Sequence, residues 1–311
     1  MINVGVSEGF HDAGVTVLEG KKILHASHSE RYSRVKNDKW ISLKQLPYTY
    51  DNIAYYESPF WKNTRRIFAG QGIEYPRRKY NYYFRHHQTH AAAGYLTAPF
   101  HDCNIIVIDA IGEWETITIS HGKGTNLNKL YSINFPNSLG MLYSTITAYL
   151  GFKPNQEEGK IMELSQKGNS NKYYNKLNKI FIDDLKIHQK YFTWEYSEKI
   201  MFNINLCNLL NLPPRLPEEF IKQDHKDLAA ALQKIYEEKF LYLLNLSQKL
   251  TNENNICLGG GCAYNYLANK KIKNIFKNSF IPPNPSDSGS PIGACLYNYY
   301  KLSYEKNNIK N

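Results

Sequence analysis

Two segments about a hundred residues apart read alike, and that repetition constrains the fold more than any other feature of the chain. Ile2 to Val6 is a short apolar run, Ser7-Glu8-Gly9-Phe10-His11-Asp12-Ala13-Gly14 is a polar tip, and Val15-Thr16-Val17-Leu18 is a second apolar run. That is the pattern of a β-hairpin with a chemically loaded turn. The pattern returns as Asn104 to Asp109, a tip Ala110-Ile111-Gly112-Glu113-Trp114-Glu115, and a return strand Thr116 to Ser120. In 311 residues, enough for two cores of ordinary size, the repeat predicts duplicated lobes. A third segment, Asn255-Ile256-Cys257-Leu258 into Gly259-Gly260-Gly261-Cys262-Ala263-Tyr264-Asn265, reads as a strand, a glycine turn and a helix start, where backbone amides can face a nucleotide. The spacing of apolar residues predicts a long amphipathic helix from Asp227 to about Lys249, and the stretch from about 165 to 217 reads as inserted helices.

His86-His87-Gln88-Thr89-His90 places two imidazoles four residues apart. On a helix they stack on one face and can reach one cation, with a distant carboxylate such as Asp287 of Ser286-Asp287-Ser288-Gly289 closing the site. The five cysteines form no CxxC pair and suit free thiols in a reducing compartment. The longest apolar runs fall far below the roughly 20 residues of a membrane span, and the N-terminus lacks a basic-then-apolar signal layout. The expected location is therefore the cytoplasm, with no membrane partner. A net charge of +10 points to an acidic partner. Between Pro59 and His90, seven Lys/Arg stand against the single acid Glu74, with eight aromatics interleaved, the composition of a surface that holds phosphates and stacks bases.

Five strings together resemble the NodU/CmcH-type O-carbamoyltransferases. They are Gly9-Phe10-His11-Asp12-Ala13, Ser29-Glu30-Arg31-Tyr32-Ser33-Arg34, His86 to Ala92, Asp109-Ala110-Ile111-Gly112-Glu113-Trp114-Glu115-Thr116 and Gly259 to Asn265. Asn137 to Ser144, Tyr149 to Lys153 and Asp287 to Ala294 extend the likeness in the same order along the chain. The resemblance implies an α/β, actin-like (ASKHA) fold of two RNase-H-like lobes with mixed sheets. The expected lobes are residues 1–100, with a basic and aromatic insertion at 59–85, and residues 101–311, with the helical insertion at about 165–217. It further implies a divalent metal, often iron, at His86, His90 and Asp287. Nucleotide or phosphate is expected at Asp109, Gly112, Lys160, Gly259, Gly260, Gly261 and Asn265. His11, with Asp12 beside it, matches the base that takes the acceptor's proton, and Arg31 and Arg34 are candidates for holding phosphate.

Members of that family continue into a YrdC-like domain that makes carbamoyl-adenylate from carbamoyl phosphate and ATP. Its absence here implies either a separate donor-activating protein or direct use of carbamoyl phosphate. Two positions depart from the family's pattern: Glu163 stands where relatives carry glycine, and Phe10 where they often carry a second histidine. The expected reaction is carbamoyl transfer to a hydroxyl. The basic run favours a hydroxymethylated pyrimidine in DNA, such as 5-hydroxymethylcytosine, as acceptor, with Arg65, Arg66, Arg77, Arg78, Lys79, Tyr80 and Arg85 holding the strand. The alternatives are a small-molecule acceptor, tRNA threonylcarbamoyl transfer and a nucleotide-binding module without chemistry.

Overall fold

In the computed structural model, which describes residues 1–197 and 200–308, the repeat becomes two five-stranded sheets of the same topology. In the first, β1 (Ile2–Ser7), β2 (Gly14–Glu19) and β3 (Lys22–His28) form an antiparallel meander. On the other side of β1, β4 (Asn52–Tyr55) and β5 (Tyr82–Tyr83) add in parallel. In the second, β6 (Asp102–Gly112), β7 (Glu115–Lys123) and β8 (Asn126–Asn134) form the meander, and β9 (Asn255–Gly259) and β10 (Asn278–Phe280) the parallel wing. The orders, β3-β2-β1-β4-β5 and β10-β9-β6-β7-β8, are the same pattern twice. The central strands β1 and β6 are covered on both faces, which is why Val4-Gly5-Val6 and Ile105 to Ile108 read as unbroken apolar runs.

Helix α1 (Pro59–Phe68) lies between β4 and β5, and α2 (His86–Tyr95) follows β5. Helices α3 (Leu139–Tyr149) and α4 (Glu158–Ser165) follow the second meander, and the expected insertion holds α5 (Asn171–Asn178) and α6 (Ile204–Leu210). The long helix, α7 (Gln223–Thr251), buries Leu228, Leu232, Ile235, Leu243 and Leu244 along one stripe and shares the main core with Ile117, Ile119 and Ile146. The last helix, α8 (Ser290–Asn308), returns to the first lobe and packs on β1, β2 and β4, so part of that lobe's cover comes from the region expected with the second.

Between the sheets, α2 touches β6 and β9 on one side and α8 on the other. Every residue of α2 except Gln88 is buried, so its histidines are placed where burial of a polar ring needs a compensating partner. The helix start expected after the triple glycine is only a 3₁₀ turn, Gly261–Tyr264, and one helical turn, Tyr266–Asn269, capped by Asn265 Oδ1 accepting from the Ala268 amide at 3.0 Å. All five cysteines are free thiols. Among the described residues, no helix is long and apolar enough to cross a membrane.

Candidate active site

Four side chains converge where the lobes meet. His86 and His90 come from one face of α2, Asp109 from β6 near its tip, and Asp287 from the turn that opens α8. His90 Nε2 lies 3.1 Å from His86 Nε2 and 3.1 Å from Asp287 Oδ1, and 3.3 Å from Asp109 Oδ2; His86 Nε2 lies 3.3 Å from Asp287 Oδ1 and 3.4 Å from Asp109 Oδ2. Donors about 2.0–2.1 Å from one ion at tetrahedral corners stand roughly 3.3–3.4 Å apart, so these spacings fit a single metal. Two imidazoles and two carboxylates suit a first-row transition ion better than an all-oxygen calcium or magnesium site. Asp109, expected on the nucleotide, stands in this group.

The electrostatics favour a cation. Burial alone would lower His86 and His90, but the Asp287 and Asp109 carboxylates outweigh it and raise both imidazoles. Burial and mutual repulsion would raise the two carboxyls, and the histidines instead hold both well below the usual carboxylate range. His87 turns away from the group, its Nδ1 3.1 Å from Thr118 Oγ1, and burial keeps it neutral.

Close backbone approaches fix this geometry. A Cβ at Gly112 would sit 2.3 Å from the His86 ring, so this glycine makes room for the imidazole. A Cβ at Gly14 would sit 2.3 Å from the Ser288 carbonyl, so the first hairpin rests directly on the turn that carries Asp287. Glu113, quoted in a motif but given no role by the sequence, is the residue that reasoning missed. Its Oε1 accepts from the amides of Ser58 (2.6 Å) and His86 (3.2 Å), and its Oε2 accepts from Arg85, so one buried carboxylate ties down the starts of α1 and α2. Burial pushes Glu113 up to about 7, against the pull of the Ser58 amide and Arg85.

A cavity of about 340 Å³ opens beside the four side chains. Asp109 and Asp287 form part of its wall; His11 and Asp12 enter from the first hairpin, and Glu158, Tyr236 and Gly261 from the second lobe. His11 Nδ1 donates to Asp12 Oδ2 at 3.1 Å, which leaves Nε2 as the ring's acceptor. Burial would lower the His11 pKa, but the Asp12 hydrogen bond and the charges of Asp287, Asp12 and Asp109 raise it overall. Asp12 holds a left-handed backbone at φ 49°, a conformation its short polar side chain tolerates.

Residues 56–296 match the family described as Carbamoyltransferase N-terminus. The chain belongs to that family. It is 29% identical to the Synechocystis sp. protein sll1178 over 94% of this chain and 56% of that one. It is 24% identical to the nodulation protein NolNO of Sinorhizobium fredii over 92% of this chain and 46% of that one. The chain thus spans about half the length of the curated relatives it matches. Among solved structures it is similar to the activator of 2-hydroxyisocaproyl-CoA dehydratase from Clostridium difficile with bound ADPNP, at TM-score 0.52 and 12% identity, covering 100% of this chain and 99% of that one. With the duplicated topology, that likeness establishes the actin-like fold.

Within this carbamoyltransferase N-terminal chain the other expected site residues divide. Gly261 and Asn265 line the cavity, whereas Gly259 and Gly260 pack behind it against the backbones of His90 and Ile108. Lys160 is exposed off the wall, paired with Glu157 at 2.6 Å and set over the Phe152 ring. Arg31 and Arg34 are exposed around the short helix Glu30–Ser33, also off the wall. Of the two departures from the family's pattern, Glu163 is exposed and off the cavity, while Phe10 lines it with its ring 4.4 Å from His11.

The basic run is largely spent inside the fold. Arg78 donates to both oxygens of buried Glu8 (3.1 and 3.0 Å), and the Tyr80 hydroxyl donates to the same carboxylate at 2.6 Å. Arg85 pairs with Glu113; Arg65 is buried and donates to the Glu113 carbonyl at 3.2 Å; Arg66 pairs with Glu74 at 3.1 Å. The run anchors both hairpin tips, through Glu8 in one and Glu113 in the other, and of its basic residues only Arg77 and Lys79 are exposed. Composition could not reveal this, because Glu8 and Glu113 lie far from the run in sequence. Arg78→Ala is expected to lower the unfolding free energy by about 3–5 kcal/mol, since it strands a buried carboxylate; Arg77→Ala should cost less than about 1 kcal/mol. Urea denaturation of the two variants measures the contrast.

Proposed function

We propose that this chain transfers a carbamoyl group from carbamoyl phosphate, or from carbamoyl-adenylate made by a separate partner with ATP, to a hydroxyl of a small acceptor, with His11 as base. The observation that carries the reading is an imidazole oriented by Asp12 on the wall of the cavity that also exposes Asp109 and Asp287. An alcohol is a poor nucleophile at neutral pH. Removal of its proton by His11 Nε2 as the oxygen bonds to the carbamoyl carbon supports the attack, and the bond from that carbon to the phosphate oxygen breaks as phosphate or AMP departs. His86, His90, Asp109 and Asp287 would hold the metal, iron by the family's habit, which supplies positive charge opposite the donor's phosphate. That charge matters because no lysine or arginine among the described residues lines the cavity. Gly261, Asn265 and the Tyr236 ring offer a surface for a nucleoside if the donor is an adenylate.

The internal pairing of the basic run favours a small acceptor over the hydroxymethylated DNA base expected from composition. Incubation with labelled carbamoyl phosphate, with and without ATP and ferrous iron, against a glycoside panel and a hydroxymethylcytosine oligonucleotide tests this by mass spectrometry. One carbamoyl gained on a small molecule supports the reading; gain on DNA alone, or on nothing even when preformed carbamoyl-adenylate is supplied, overturns it. The pH profile follows from His11. The neutral imidazole is the base, so kcat/KM should climb with pH along an acid limb, which the Asp12 hydrogen bond holds toward higher pH. Asp12→Asn, which removes a raising influence and leaves burial, should move that limb to lower pH.

A further inference from the structure

A second cavity, of about 190 Å³, lies across the first hairpin tip from the site above. Both cavities are walled by the same two short segments. Phe10, His11, Asp12 and Asn37 face the first; Gly9, Lys39 and Trp40 face the second. The segments are joined by backbone hydrogen bonds, the Gly9 amide to the Lys39 carbonyl at 2.8 Å and the Ala13 amide to the Asp38 carbonyl at 2.9 Å. Gly9 on one wall and His11 on the other are two residues apart, so the tip itself is the partition between the cavities.

The charges in this cavity are unevenly matched. Its acids are satisfied: Glu57 by Lys62 at 2.8 Å, and Glu74 by Lys62 at 3.2 Å and Arg66 at 3.1 Å. Its remaining cations are not. Lys39 and Arg77 sit over the Trp40 ring, 5.5 and 5.3 Å from its centroid, and neither has a carboxylate partner among the described residues. Two cations held against an indole ring, with no carboxylate beside them, suit a hydroxylated group that brings its own negative charge.

We propose that this cavity, with Trp40, Lys39 and Arg77, is the acceptor subsite and takes a hydroxylated ring compound carrying an acidic group, such as a uronic acid glycoside or a sugar phosphate. The assignment rests on the carbamoyl-transfer reading for the word acceptor, and on the cavity alone for the ligand's chemistry. Donor-free binding tests the chemistry. Saturation-transfer NMR titrations compare methyl β-glucuronide, methyl β-glucoside and glucose 6-phosphate on the full chain. At least one acidic sugar should bind about tenfold more tightly than the neutral glucoside at low salt, and the tighter of the two identifies the anion. In the Lys39→Ala/Arg77→Ala variant the ratio should fall to about one with the melting temperature retained, because both side chains are exposed. Equal binding of acidic and neutral sugars, or a preference that survives the double substitution, overturns the proposal. A preference that depends on both residues, but with no carbamoylated product when carbamoyl phosphate and preformed carbamoyl-adenylate are each supplied, sinks the transfer reading and leaves the binding site standing.

Discussion

His11→Ala should lower kcat/KM for carbamoyl transfer by about 10²–10⁴-fold, the usual contribution of a positioned general base, while bound metal and melting temperature stay near wild type. The side chain is only partly buried and its one side-chain hydrogen bond is to Asp12, so its removal opens a solvated cavity wall rather than the core. A substitution that empties the metal group would fail in both metal content and turnover; this one should fail in turnover alone. The acid limb of the pH profile should vanish from whatever activity remains, because the titrating group is gone. Steady-state kinetics across pH, with metal content measured on the same samples, checks both statements. Retention of wild-type turnover would remove His11 from the chemistry.

Asp109→Asn should weaken metal binding at least about 100-fold, as much as His90→Ala does. Loss of residues that merely support a ligand already costs 10–100-fold, and Asp109 offers its own carboxylate oxygen to the group. The substitution keeps the shape and removes the charge. It leaves Asp287 as the only carboxylate against two imidazoles, so the attraction that raises His86 and His90 weakens as well. Competition against a chromophoric chelator at fixed pH measures the loss; the pH must be fixed because protons compete for the same imidazoles. If Asp109 served the nucleotide alone, metal affinity would be unchanged and only nucleotide binding would fall.

The sequence disclosed what is local and periodic. The alternating and apolar runs around Val4 and Ile106 named the central strands, and the four-residue spacing of His86 and His90 named a shared helix face. The third strands, β3 and β8, escaped notice because they lie at the sheet edges with exposed, mixed side chains and carry no burial pattern. Asp109 joins His86, His90 and Asp287 only in three dimensions, since its distance from His90 is set by how α2 lies on β6. The basic run misled for the same reason. Charge counted along the chain cannot distinguish an arginine facing solvent from one facing Glu8 across 70 residues. Lys160 shows the converse, a motif residue adjacent to wall residues Glu158 and Gly159 whose own side chain turns outward.

His86, His90, Asp109 and Asp287 are placed to form one cation site beside His11. X-ray absorption on protein loaded with one equivalent of ferrous iron tests it most directly. The expected spectrum places two imidazole nitrogens and carboxylate oxygen around the iron, with one imidazole fewer in His90→Ala. A shell without imidazole, or one unchanged by His90→Ala, would contradict it.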